Sequence, residues 1–251
     1  MIPLNDPDIR RRTTGYVVYA LLAANVLVAA FQMLMLTTAQ EIAFTYHFGI
    51  VPRELTGVAE LNPVRLGPAG PVLDIASPIP PWATVFTSMF LHAGLLHLGG
   101  NMLFLWVFGR NIEDRFGHLK FLGAYLLAGV AAVWAQVYID PESQVPMVGA
   151  SGAIAGILGA YIVLFPRSRV HTLLTIGIIF HMRLPAIVLL GGWVLIQVFL
   201  GLTDTGGGVA YFAHIGGFAA GLAFGFLYRL FRGSAGPPNR RPPQYWRGRP
   251  I

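Results

Sequence analysis

A serine becomes a nucleophile when an imidazole takes its proton, and the intermediate it forms needs N–H donors around its oxyanion. Three stretches of this chain hold those residue types in apolar surroundings. Ser151 lies in VGASGAIAGILGAY, His214 in YFAHIGGFAAG, and His92, His97 and Asn101 in TSMFLHAGLLHLGGNMLFLWVFG. With Ser151 as nucleophile and His214 as general base, the side chains of His97 and Asn101 and the Ser151 backbone N–H would supply the oxyanion donors. His97 and Asn101 are four apart and share a helix face. His92 is five residues before His97, about 140° round the same helix, and is expected to brace a loop or contact water instead. The nearest carboxylates, Asp140, Glu142 and Asp204, lie in loops, so the site reads as a dyad without an acidic third member. The chain has no cysteine and no HExxH pattern, so neither a thiolate nor a metal or other cofactor is expected.

These polar groups must be positioned by elements built for lipid. Of the 251 residues 55% are hydrophobic and 11% charged, and the mean hydropathy is +0.63, a balance that no soluble core could bury. A helix needs about 20 apolar residues to cross the hydrocarbon core. That length fits six candidates, at 16–36, 83–108, 121–139, 150–165, 184–202 and 209–231, the fourth of them short. The expected fold is therefore an all-α membrane protein, a six-transmembrane-helix bundle. Residues 1–15 precede it as a cytoplasmic segment, 16–231 form the domain, and 232–251 read as a disordered tail rich in proline and arginine. The apolar stretch 170–180 is too short to span and is expected at the interface or as a lead-in to the fifth helix.

The basic residues give the direction. Fifteen of the seventeen fall in the two termini and in the loops after the second and fourth spans, leaving only Arg53 and Arg65 on the other side. By the positive-inside rule both termini are cytoplasmic, and the net charge of +6 reports topology, not nucleic-acid binding. The second, fourth and sixth spans then run in the same direction, which brings Ser151, His214, His97 and Asn101 together in the outer half of the membrane. Small residues support that convergence. Gly152 with Gly156 and Gly217 with Gly221 are GxxxG pairs that let membrane helices approach closely, and Gly149, just before the serine, is expected to join them in helix packing near the site.

At these residues the chain resembles the rhomboid family of intramembrane serine proteases. The motifs are His-x-x-x-Asn at His97 and Asn101, Gly-x-Ser-Gly at 149–152, and Ala-His-x-x-Gly-x-x-x-Gly at 213–221, with Glu113, Arg115 and Gly117 of GRNIEDRFG in support. The resemblance runs over about 16–231. It implies a multi-pass protein of the cell membrane that cleaves single-span membrane proteins within the lipid bilayer, after a small residue in a span with helix-breaking residues. It also implies a gate formed by the fifth helix and the loop before the sixth. Two departures stand out. The position four after the nucleophile, often aromatic in the family, is Ala155, which leaves the bracing of His214 to other residues, with Tyr211 and Phe212 as candidates. The first external loop lacks a Trp-Arg pair.

Two other classes fit parts of the pattern. A proton-coupled transporter would place polar groups through the full membrane depth, whereas these cluster on one side. A non-catalytic rhomboid-like protein could bind membrane helices in the same groove without turnover.

Overall fold

In the computed structural model the apolar runs form helices, and the glycines and prolines between them set where those helices bend. The structure describes residues 1–232 except 59–60, 68–69, 177 and 204–207, together with 245–246 and 249–250. The expectations for the tail and for Asp204 fall largely outside these residues. In chain order the first half holds β1 (Ile2–Asn5), α1 (Tyr16–Met35), α2 (Thr38–Phe48), α3 (Pro52–Thr56), β2 (Val64–Arg65), β3 (Val72–Leu73), α4 (Pro81–Thr87), α5 (Leu95–Phe104) and α6 (Arg110–Phe116). The second half holds α7 (His118–Ile139), α8 (Ser151–Leu164), β4 (Arg169–Ile176), β5 (Ile178–Pro185), α9 (Ala186–Thr203), α10 (Tyr211–Arg232), β6 (Tyr245–Trp246) and β7 (Arg249–Pro250).

Helices α1, α7, α9 and α10 are long and apolar enough to cross a membrane, and the bent pair Pro81–Phe90 with Leu95–Phe116 makes a fifth if taken as one span. α8 is apolar but has only 14 residues. It is also the centre of the bundle. Eleven of its residues are buried, in an unbroken run from Gly152 to Tyr161 and again at Val163, because α7 and α10 close over it.

Those contacts are made by backbone. A methyl group added to Gly217 would collide with the Gly152 carbonyl oxygen, one on Gly221 with that of Gly156, and one on Gly159 with that of Phe218. Ala128 and Ala132 of α7 close the same seam against Gly156 and Gly152. This is the close approach that small-residue spacing permits, and it brings the N-terminal ends of α8 and α10 side by side.

Three features depart from the sequence expectation. The second span is not one helix. Gly94 adopts φ 148, a conformation open to glycine, and the two halves meet at 84°. The 170–180 stretch, expected at the interface or as a lead-in to the fifth helix, does precede α9 but as strand. It belongs to a β-hairpin, β4 with β5 from Arg169↔Pro185 to Ile176↔Ile178, and β1 adds antiparallel to the other edge of β4. Judged only against a helix-length ruler, the β-branched run VHTLLTIGII was read by the wrong period. The fold is thus mostly helical with a three-stranded sheet, not purely α. The 37–82 connection, expected as a long loop rich in proline and glycine, holds α2, α3 and the β2–β3 pair among its described residues. α2 opens with a capping box from Thr37 and Gln40, and Ile50 pairs with Met147 just before α8.

The 109–117 stretch fastens the first helix to the bundle. Glu113 is fully buried, and its two carboxylate oxygens accept the Val17 and Val18 amides at 2.9 Å each. A carboxylate at that place answers both the unpaired N–H groups and the positive end of the helix. Gly117, at φ 79, turns α6 into α7. At the far end of α8 a second polar cluster joins the N-terminal segment to the bundle. Asp6 accepts hydrogen bonds from Tyr161 Oη and, at 2.6 Å, from Ser168 Oγ.

Candidate active site

α8 begins at Ser151 with no side-chain cap, and its first intrahelical bond runs from Ile154 N–H to the Ala150 carbonyl. The amides ahead of it are those that a helix leaves unpaired, at its positive end. Anion-stabilising donors and a hydroxyl are therefore supplied at one place. His214 enters from the first turn of α10, and its Nε2 is 2.8 Å from Ser151 Oγ. Both side chains are half-buried. They open onto a cavity of about 670 Å³ that is also bordered by His97, Asn101, Gln136 and Trp193.

His97 and Asn101 converge beside the serine. A methyl group on Gly149 would lie 2.7 Å from His97 Nε2 and 3.5 Å from Asn101 Nδ2, so only a glycine lets the chain pass these two side chains. Gly149 itself has φ 119 and donates its N–H to the Ser88 carbonyl at 2.8 Å. It belongs to the loop that delivers Ser151, not to the helix-packing seam in which the sequence placed it. The other four glycines, Gly152, Gly156, Gly217 and Gly221, do lie in that seam. His97 Nδ1 accepts the Ala93 amide at 3.4 Å. That leaves the ring proton on Nε2, the atom turned towards Gly149 and the cavity.

His92 differs from its expected role, because the helix on which its angle was reckoned is broken at 91–94. It is buried at 1% exposure. Its Nε2 is 2.9 Å from Asn101 Nδ2, and its backbone N–H donates to Gln32 Oε1 of α1. One N–H of the Asn101 amide is thereby occupied and its plane fixed, while the second remains for the cavity.

The bracing of His214 comes from α9. Gln197 Oε1 is 2.7 Å from His214 Nδ1, and the Trp193 ring stands 5.8 Å from the imidazole, centroid to centroid. Tyr211 and Phe212, the candidates for that role, lie against Gly201. Gln136 of α7 accepts the Phe212 and Ala213 amides at 3.1 and 3.3 Å, which satisfies the first turn of α10 just ahead of His214. None of these three was singled out from the sequence. The signal was present, since a primary amide inside an apolar span needs a partner as a histidine does.

Residues 80–231 match the Rhomboid domain family model. Among curated proteins, the chain is 31% identical over 162 residues to RHOMBOID-like protein 6, mitochondrial, of Arabidopsis thaliana, covering 64% of this chain and 48% of that protein. It is 28% identical over 152 residues to Rhomboid protein 1, mitochondrial, of Saccharomyces cerevisiae (57% and 41%). With Rhomboid protease GluP of Bacillus subtilis it shares 40% identity over 96 residues (38% and 18%). The chain spans about half the length of the curated relatives it matches first.

Proposed function

The chain belongs to the rhomboid family, and from that premise we propose that it is an intramembrane serine endopeptidase using Ser151 and His214 as its dyad. The observation that carries this reading is the 2.8 Å contact between Ser151 Oγ and His214 Nε2 on the wall of a half-open cavity. His214 takes the hydroxyl proton as Ser151 Oγ bonds to a peptide carbonyl carbon. The carbonyl oxygen becomes an oxyanion, held by His97 Nε2–H, the second N–H of Asn101 and the Ser151 amide. Its collapse breaks the C–N bond, and His214 gives the proton to the leaving amine. Water then repeats the sequence on the acyl-enzyme.

The substrates in this reading are single-span membrane proteins, admitted from the bilayer to a groove lined by apolar residues such as Leu96, Phe104 and Leu158. The polypeptide crosses six times, with α8 as the short crossing, residues 1–15 and 232–251 outside the 16–231 domain, and both termini cytoplasmic. The arginine asymmetry supports that topology. The cell membrane is part of the proposal, and a reporter enzyme active only outside the cytoplasm, fused at the C-terminus, should stay silent.

Cleavage of a single-span reporter by the protein in liposomes tests the assignment. Ser151→Ala and His214→Ala are each expected to abolish product while the protein still inserts and folds. Undiminished cleavage by the serine variant would sink the reading. A folded wild-type protein that neither cleaves nor labels with a fluorophosphonate would instead be a helix-binding module.

A further inference from the structure

α9 is a span whose outer faces carry little protein. Of its 18 residues only Ala186, Leu189, Leu190 and Gln197 are buried. Three of these are apolar, whereas Gln197 takes a primary amide into the bundle, which is unfavourable unless its polar atoms find partners. Its partner is the imidazole. Gln197 Oε1 meets His214 Nδ1 at 2.7 Å while Nε2 of the same ring meets Ser151 Oγ at 2.8 Å, so the ring is held at both nitrogens. Trp193, one turn earlier on α9, covers the ring from the side.

A neutral imidazole has one N–H and one lone pair. An amide oxygen at Nδ1 puts the proton there and leaves the lone pair on Nε2, facing the serine hydroxyl. The opposite tautomer would set two lone pairs against each other at Nδ1 and would offer Ser151 a donor where an acceptor is required.

We propose that Gln197 is a positioning residue whose side-chain oxygen accepts the His214 Nδ1 proton, fixing the tautomer and ring orientation in which Nε2 can take the Ser151 proton. The site is then a Ser–His–Gln arrangement, complete only while α9 is seated against α10. This inference rests on the Ser151–His214 assignment. No proton passes to Gln197. The imidazolium formed during attack keeps its Nδ1–H on the amide oxygen and returns the Nε2 proton to the leaving amine. A helix that parts from the bundle would carry away both Gln197 and Trp193, so the same motion that admits a substrate would disarm the base until the helix returns.

The test is kcat and KM against pH for the liposome reporter, in the wild type, Gln197→Leu and Gln197→Glu, with the fluorophosphonate labelling rate alongside. For Gln197→Leu kcat is expected to fall about tenfold to a hundredfold, a fraction of what a general base contributes, with KM within about twofold and labelling slowed by the same factor as kcat. Gln197→Glu can only accept, so it should recover most of kcat, and its negative charge should move the acid limb of the kcat profile to higher pH. A residue that only packs α9 would leave that limb in place. A Gln197→Leu kcat within twofold of wild type, or an acid limb unmoved in Gln197→Glu, overturns the proposal, and the glutamate variant decides if the leucine variant does not fold. Should Ser151→Ala still cleave, the dyad itself fails. If Ser151→Ala and His214→Ala are inactive and the Gln197 variants behave as wild type, only this inference falls.

Discussion

Gly221 lies seven residues beyond His214 on α10, about 10 Å along the helix, and contributes no side chain to the chemistry. Replacing it with alanine tests whether the dyad is set by the glycine seam. The added carbon would meet the Gly156 carbonyl oxygen, carbonyl carbon and Cα, all inside 3.0 Å, where ordinary contact begins at 3.4 Å. These are backbone atoms of the buried helix α8, with no rotamer to give, so α8 and α10 must part by roughly 1 Å. The Ser151–His214 contact crosses the same two helices. A misplacement of about 1 Å costs on the order of 10²-fold in rate, or about 2.7 kcal/mol in the barrier. We therefore expect Gly221→Ala to lower kcat on the liposome reporter about a hundredfold, with a stability loss of about 1–3 kcal/mol read by thermal unfolding in detergent. Gly123→Ala on α7, where the added carbon meets nothing within 4 Å, is the control and should turn over normally. Turnover by Gly221→Ala within twofold of wild type, in folded protein, would refute the claim that backbone contact sets the dyad.

His97→Ala and Asn101→Ala are each expected to reduce kcat by about 10²- to 10³-fold with little change in KM; an unchanged kcat would remove that residue from the oxyanion site. His92→Ala frees the Asn101 amide without removing it, and kcat measurement should show a smaller loss, about tenfold. Glu113→Ala strands the Val17 and Val18 amides and should lower stability by about 3 kcal/mol or more, read by unfolding in detergent, with kcat at low temperature retained. Burial raises the Asp6 carboxyl above its ordinary value of 3.8 against the hydrogen bonds that oppose it. The folded state thus binds the proton more tightly, so the Asp6 contribution to stability is fully present below pH 3.8 and is lost as pH rises through the folded value. Stability measured against pH should decline over that window in the wild type and be flatter in Asp6→Asn.

The parts legible in the sequence were those with a local signature. Apolar runs of span length gave α1, α7, α9 and α10 within a few residues, and Ser151, His214, His97 and Asn101 stood out because such groups are costly in lipid. The break at 91–94 was not legible from hydropathy, since LHAGLL is as apolar as the helices on either side and only Gly94 hints at the bend. The hairpin at Arg169–Pro185 was hidden for the opposite reason, because in a chain read by span length an 11-residue apolar stretch had no template. Gln136 and Gln197 obey the same rule of burial as Asn101, but no motif spacing ties them to the serine or to the histidines. Glu113 meets His118 five residues on, but its bonds to Val17 and Val18 reach some 95 residues away. No periodicity links them.

The shortness of α8 has a consequence for where a substrate would be cut. Fourteen residues extend about 21 Å, so in the proposed topology, with the Asp6 cluster holding the far end near one surface, Ser151 would stop about 9 Å short of crossing a hydrocarbon layer of about 30 Å. That depth is fixed by the protein, whereas a substrate helix floats with the lipid. Longer acyl chains would therefore sink the serine relative to the substrate, at about one residue for every 1.5 Å of hydrophobic mismatch. The bond presented to Ser151 becomes partly a property of the membrane, and product mass spectrometry across lipids of graded chain length should show the cut walking along the span.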